Sequence, residues 1–249
     1  MTLHRVLVAG YSGRMGRAVV EGLAEADDMV YVGGVRRGDD LRAAVRAAQP
    51  TVIVDFTVPE AVLEHVRIGL EEGVPLVVGT TGLTPVDLQW IDEQARRREL
   101  GVVVAANFAL GAVLMMRFAR EAARWFEHAE IIELHHEKKV DAPSGTAMRT
   151  AEAIGAARGE TAASSDAGRL ELVPGARGGE YCGVRIHSVR LPGHVAHQEV
   201  IFGRLGETLR IRHDLTDRRA FVPGVLLAIR RVGALRGVHG LEELLFPSA

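Results

Sequence analysis

The stretch ELHHEKKVDAPSGTA, residues 133–147, places two histidines, two lysines, an aspartate and a Ser-Gly-Thr turn within fifteen positions. Three chemistries could use such a string. A metal site is disfavoured, because His135 and His136 are neighbours on a strand-like segment and point to opposite faces. No Cys/His cluster stands near to complete a coordination shell. Ser144 as a nucleophile lacks the G-x-S-x-G elbow, and a serine at a helix start is most often an N-cap. A cradle for an anion fits better. Ser144, Gly145 and Thr146 open a helix whose free N–H groups and dipole favour a carboxylate. Gly145 permits close backbone approach, Lys139 adds a point charge, and a histidine on the same segment supplies a proton donor near neutral pH.

A second string offers a reactant for that acid. VAGYSGRMGRAVV, residues 8–20, carries Gly10, Gly13 and Gly16 in a GxxGxxG spacing between a strand and a helix. Glycines there allow a tight turn and let backbone N–H groups meet a pyrophosphate at the helix N-terminus. About 20 residues on, a dinucleotide site normally carries an acid for the ribose hydroxyls of NAD. Here the sequence reads VRRGDD, with Arg36 and Arg37 first and the acids displaced to Asp39 and Asp40. Guanidinium forks suit a 2′-phosphate, so the expected cofactor is NADPH, with NADH possible. VVGTTG brings Gly79, Thr80 and Thr81, and AANF brings Ala105, Ala106, Asn107 and Phe108, to strand ends on the same carboxyl edge.

The elements that must position these residues alternate regularly over the first hundred positions. Short β-branched runs at 5–10, 30–35, 51–56, 75–80 and 101–106 are separated by helix-like stretches such as PEAVLEHVRIGLEEG. Continuous apolar strands between helices predict a Rossmann-like, doubly wound parallel sheet of the α/β class. After Asn107 the pattern predicts a long helix over 110–127, a strand at 129–136, a helix opening at Asp141, and a loop over 159–182. Three further strands, GVRIHSVRL, AHQEVIFG and ETLRIRHDL, have the alternation of an antiparallel sheet, and AFVPGVLLAIRRVGAL reads as a closing helix that returns to the first domain. The expected organisation is a dinucleotide-binding domain over 1–107 and 220–249. A smaller α+β domain with a mainly antiparallel sheet spans 108–219 and binds substrate.

Composition narrows the partners. A formal net charge of −2 gives no basic field for nucleic acid or an anionic membrane, and no apolar run reaches the roughly 20 residues that span a bilayer. Cys182 is the only cysteine, which suits a reducing compartment, and the N-terminal MTLHRVLVAG runs into a strand without the length of a signal peptide. A cytoplasmic protein that handles a small anionic ligand is expected.

The string ELHHEKKVDAPSGTA closely resembles the signature of the dihydrodipicolinate reductase family. AGYSGRMG, DFT, GTTG, NFALGAVL and IRHDLTDRRAFVPGVL fall where that family has its other motifs, so the resemblance covers essentially the whole chain. It implies NAD(P)H-dependent reduction of 4-hydroxy-tetrahydrodipicolinate on the diaminopimelate route to lysine. It implies His135 as the catalytic histidine and Lys139 as proton donor, with His136, Gly145 and Thr146 holding substrate carboxylates. The cofactor motifs correspond to Gly10, Tyr11, Ser12, Gly13, Arg14 and Met15, then Gly79 to Thr81, then Ala105 to Phe108. Arg36 stands where many members carry an acid, and Ala106 where a proline is common. The family also implies a homotetramer built through the second domain's sheet and a small dicarboxylate as ligand; with the metal reading disfavoured by the residues themselves, no metal is expected. Another nicotinamide-dependent reductase, such as an amino-acid or homoserine dehydrogenase, and a nucleotide-binding sensor are the rival readings. The sensor would be free to lose His135 or Lys139, and both are present.

Overall fold

The computed structural model describes residues 3–159 and 170–247. The chain divides into two compact units, Met1–Leu110 with Arg218–Ala249, and Gly111–Asp217.

In the first unit, β1 (His4–Ala9), β2 (Met29–Val35), β3 (Val52–Asp55), β4 (Leu76–Val78) and β5 (Gly101–Val104) form one sheet. A short sixth strand from the chain's end, β11 (Gly237–His239), joins them in the order β11-β5-β4-β3-β1-β2. Every pairing is parallel. Residues Val6 to Ala9, Val52 to Val54 and Leu76 to Val78 are almost fully buried, as strands covered on both faces must be. The crossovers are α1 (Arg14–Ala24), α2 (Leu41–Ala48), α3 (Pro59–Glu71) and α4 (Pro85–Arg97). Strand order reverses between β1 and β3, which is the switch point where doubly wound sheets open a ligand crevice. The last long helix, α7 (Val222–Val232), packs back on this unit: a Cβ on Gly22 of α1 would lie 2.2 Å from Val222 Cγ1. The sixth strand has no signature in the sequence. Three residues, GVH, become a strand only by pairing with β5.

The second unit begins with α5 (Leu110–Ala122), shorter than the 110–127 expected. The chain turns through Trp125, and Phe126 packs against Phe202 with ring centroids 5.7 Å apart. Then follow β6 (His128–His135), α6 (Gly145–Arg158), β7 (Gly179–Tyr181), β8 (Val184–Arg190), β9 (Ala196–Arg204) and β10 (Glu207–Leu215). The sheet order is β10-β9-β6-β8-β7, mixed, with β6 and β8 parallel and the other pairings antiparallel. α6 starts at Gly145, later than expected, because Pro143 disfavours helix before it and Ser144 supplies the cap. Of the loop expected over 159–182, residues 160–169 lie outside the described residues, and Gly179–Tyr181 is strand instead, paired with β8. Along β6 the pleat buries Ala129, Ile131 and Glu133 and leaves Glu130, Ile132 and Leu134 half-buried on the other face. The buried face packs on Met115 and Ala119 of α5 and on Ala147, Ala151 and Ile154 of α6.

Candidate active site

The nucleotide half is built where β1, β3, β4 and β5 end along one edge of the first unit's sheet. Gly10 leaves β1 at φ +83°, and a Cβ on it would lie 2.4 Å from the Phe56 carbonyl. A Cβ on Gly16 would lie 2.1 Å from the Gly10 carbonyl. Both glycines are therefore demanded by the turn itself. Gly13 stands at the N-cap of α1 with no side-chain cap, and Arg14 follows with no acid in the first turn. The first N–H groups of α1 and its dipole are thus available to an external anion, and a dinucleotide pyrophosphate fits them. Ser12 and Arg14 are exposed, while Tyr11 and Met15 are half-buried.

The loop after β4 is held from below by Asp55, the last residue of β3, which is fully buried. Its Oδ1 accepts from Thr80 Oγ1 at 2.6 Å, Thr57 Oγ1 at 2.7 Å and Thr57 N at 3.0 Å. Its Oδ2 lies 2.7 Å from Nδ1 of His65 on α3. Thr80 therefore spends its hydroxyl inward, and what it can offer a ligand is backbone. Thr81 is exposed. Gly79 is tight: a Cβ would lie 2.0 Å from the Phe56 ring, which meets Phe108 edge-on at 5.8 Å. Phe108 is core, Ala105 is buried, Ala106 is exposed, and the side chain of Asn107 accepts from Ala109 N at 2.8 Å. After β2, Arg36 and Arg37 are both exposed. The acids beside them hold the turn: Asp39 Oδ2 accepts from Arg36 N at 3.0 Å, and Asp40 caps α2 through Ala43 N at 3.1 Å.

The second constellation is centred on a residue that the sequence did not single out. Glu133, near the end of β6, has a fully buried side chain. Its Oε2 lies 2.5 Å from His135 Nδ1 and accepts from Arg190 Nη1 at 3.0 Å. Its Oε1 accepts from Arg190 Nη2 at 2.7 Å and from Ser144 N at 3.3 Å. Burial pushes the Glu133 carboxyl up, but hydrogen bonds from His135, Arg190 and Ser188 outweigh it and hold it down at about 2. Glu133 and His135 lie two apart on β6, so the pleat puts both on the face that packs on α5 and α6. No sequence signal distinguishes Glu133 from other strand acids, and Arg190 stands 57 residues away on β8.

Around this carboxylate the expected substrate groups fall into place in different ways. Ser144 caps α6 through Ala147 N at 3.2 Å and turns its own N–H toward Glu133, so both of its polar groups are committed within the protein. Gly145 is exposed, and a Cβ on it would meet open space. His136 is half-buried, and its buried Nδ1 has no hydrogen-bond partner among the described residues. Lys139 points its Nζ at Asp141, 2.7 and 2.9 Å from the two carboxylate oxygens. That ammonium, foremost, holds the Asp141 carboxyl below the ordinary range. Among the described residues no group of three or more His, Cys, Asp or Glu is arranged to hold a metal, and no helix is long and apolar enough to cross a membrane.

The comparisons with known proteins also break the chain near residue 110, although the second match runs on through α7 and β11 of the first unit. The family model described as "Dihydrodipicolinate reductase, N-terminus" matches residues 4–108, and "Dihydrodipicolinate reductase, C-terminus" matches residues 111–245. The 4-hydroxy-tetrahydrodipicolinate reductase of Moorella thermoacetica is 49% identical over 262 residues, covering 97% of each chain. That of Geobacillus kaustophilus is 46% identical, covering 97% of this chain and 98% of its own. Among solved structures, a dipicolinate-bound dihydrodipicolinate reductase from Paenisporosarcina sp. TG-14 matches with a TM-score of 0.91 at 37% identity, over 97% of this chain and 99% of that one. An engineered D-amino acid dehydrogenase bound to NADP+ shares the fold, with a TM-score of 0.59 at 15% identity.

Proposed function

The chain belongs to the dihydrodipicolinate reductase family, and from that premise we propose how its own residues carry the family's reaction. It is an oxidoreductase of the diaminopimelate route to lysine, which reduces 4-hydroxy-tetrahydrodipicolinate to tetrahydrodipicolinate with a pyridine nucleotide. The observation that carries the residue assignment is the shared partner: the buried Glu133 carboxylate holds both His135 and the N-cap residue of α6, Ser144.

The substrate is a small dicarboxylate, and the start of α6 gives one carboxylate a place to rest. Gly145 and Thr146 present the helix N-terminus there, and Ser144 shapes it as the cap. His136 offers a buried ring nitrogen to the same ligand. Cations and helix N–H groups together hold the dianion in one orientation, which lowers the entropic part of the barrier. The reduced nicotinamide, when bound, supplies the hydride. As the 4-hydroxyl leaves as water, His135 acts as acid and base, and Lys139 gives a proton to the adjacent ring carbon. The Lys139–Asp141 pair keeps that ammonium within the cradle before substrate arrives.

NADPH is the preferred cofactor, with NADH as second choice. The support is that Arg36 and Arg37 are exposed after β2 while Asp39 and Asp40 are engaged in the turn and the α2 cap. A ribose 2′-phosphate meets two guanidiniums there, and ribose hydroxyls meet no free carboxylate. We further propose a cytoplasmic homotetramer assembled through the second unit's sheet, on the face that carries Glu130, Ile132 and Leu134. The test of the reading is a coupled assay with freshly made aldolase product, following nicotinamide absorbance with NADPH and NADH in turn. Oxidation of either nucleotide that depends on the aldolase product supports it. Oxidation of neither nucleotide would refute it.

A further inference from the structure

The Glu133–Arg190 pair joins groups that the reaction uses separately. Both carboxylate oxygens of Glu133 are fully engaged, one by His135 and Arg190, the other by Arg190 and the Ser144 amide. Arg190 Nη2 also donates to the Asp141 carbonyl at 2.7 Å, and the side chain of Asp141 holds Lys139. A continuous chain of contacts therefore runs from the imidazole of His135, through the ion pair of buried Glu133 with half-buried Arg190, to the loop that bears Lys139.

Elementary chemistry makes this arrangement directional. An ionised carboxylate can only accept hydrogen bonds, so the His135 nitrogen that faces it must carry a proton. In the neutral ring that leaves Nε2 unprotonated. The Glu133 charge is matched by a two-pronged guanidinium, and such a fork fixes the carboxylate plane more firmly than a point charge would. The service rendered to His135 is thus orientation and tautomer.

We propose that Glu133 and Arg190 are the positioning residues of this site: Glu133 locks His135 with its proton on Nδ1 and Nε2 as the atom that exchanges protons, while Arg190 anchors the loop of Lys139. The inference rests on the reading of His135 as the acid/base group. It assigns function to an ion pair that acts through His135 and the Lys139 loop.

Glu133→Gln tests it sharply. Arg190 has only donors to offer, so it retains the amide oxygen and turns the amide NH2 toward His135. That donor forces Nδ1 to accept, and the ring proton moves to Nε2. The experiment is 15N NMR of full-length protein labelled at histidine, without ligands, at a pH where the ring is neutral. The His135 signals are identified by their loss in His135→Asn. Wild type should show a protonated Nδ1 and an unprotonated Nε2, and Glu133→Gln the reverse. The variant should lose about 10²–10⁴-fold in kcat, the range for a misplaced acid/base group. Its KM and its binding of pyridine-2,6-dicarboxylate and NADPH should stay within about three-fold of wild type.

A wild-type ring protonated on Nε2 overturns the proposal, and that spectrum can be recorded even if the variant does not fold. So does a variant that keeps the wild-type tautomer or turnover, or one that loses ligand binding along with kcat. Failure of the enzymatic reading is separate: it would show as a wild-type protein that does not reduce the aldolase product, whatever the tautomer.

Discussion

Lys139 and Asp141 form a two-pronged contact, Nζ to both carboxylate oxygens at 2.7 and 2.9 Å, on the loop between β6 and α6. The Asp141 side chain is 58% exposed, which places the pair among ion pairs worth about 0–1 kcal/mol. The lysine can therefore leave its aspartate for a substrate at small cost. Lys139→Ala should lower kcat by about 10²–10⁴-fold while NADPH still binds. Asp141→Asn should change kcat/KM by no more than about five-fold, consistent with that small pair energy. Steady-state kinetics on the two variants decide it, and equal losses would contradict the assignment of Lys139 as proton donor.

Acid should weaken the second unit through Glu133. Its folded pKa of about 2 lies below the ordinary 4.5, so the group adds stability that is complete above about pH 4.5. That contribution drains as pH falls toward 2. At 1.36 kcal/mol per pKa unit it amounts to roughly 3 kcal/mol. Denaturant unfolding at pH 7, 4 and 3 should show this loss in wild type and a flatter profile in Glu133→Gln. Parallel profiles would indicate that other carboxylates govern acid unfolding.

Thr146 follows Gly145 at the start of α6. On the proposed reading of Thr146 as a holder of a substrate carboxylate, Thr146→Val should forfeit a charge-assisted hydrogen bond of about 1.5–3 kcal/mol. KM should rise and inhibition by pyridine-2,6-dicarboxylate should weaken together, by roughly 10–150-fold. Unchanged inhibition would move the carboxylate away from this helix start.

Asp55 predicts a link between stability and cofactor binding. Thr80→Val withdraws one donor from a fully buried carboxylate, which should cost about 1–3 kcal/mol. Because Thr80 lies in the loop after β4, NADPH affinity should fall with Tm, and Thr80→Ser should restore both. A Tm loss with unaltered NADPH binding would confine Asp55 to a folding role.

Much of this architecture is legible from residue patterns, for physical reasons that differ by element. Val6–Ala9, Val52–Val54 and Leu76–Val78 are buried on both faces, so their strands read as unbroken apolar runs. Gly10, at positive φ, and Gly16, against the Gly10 carbonyl, are visible because their conformations exclude other side chains. Long-range partnerships leave no such trace. Asp55 reads as the polar end of a strand, and nothing local says that His65 and Thr80 will meet it. Glu133 alternates with apolar neighbours as a solvent-facing acid would, and its burial becomes evident only once Arg190 is brought alongside by the parallel pairing of β6 with β8. Asp39 and Asp40 look available to a ribose until the turn and the α2 cap claim them.

Cofactor choice turns on that same turn. An exposed, solvent-screened guanidinium pair should favour NADPH over NADH by about 1–2 kcal/mol, or roughly 5–30-fold in kcat/KM. Arg37→Ala should erase most of the preference, and high salt should reduce it in wild type. Equal or better use of NADH at low salt would show that an acid in this turn reaches the ribose after all.

Transfer of deuterium from nucleotide to substrate tests the central claim most directly. NADPH carrying deuterium at both C4 hydrogens of its nicotinamide, incubated with wild-type protein and fresh aldolase product, should yield tetrahydrodipicolinate one mass unit heavier, with the label at ring carbon 4. Product formed without deuterium, or no product above the enzyme-free control, would contradict the account.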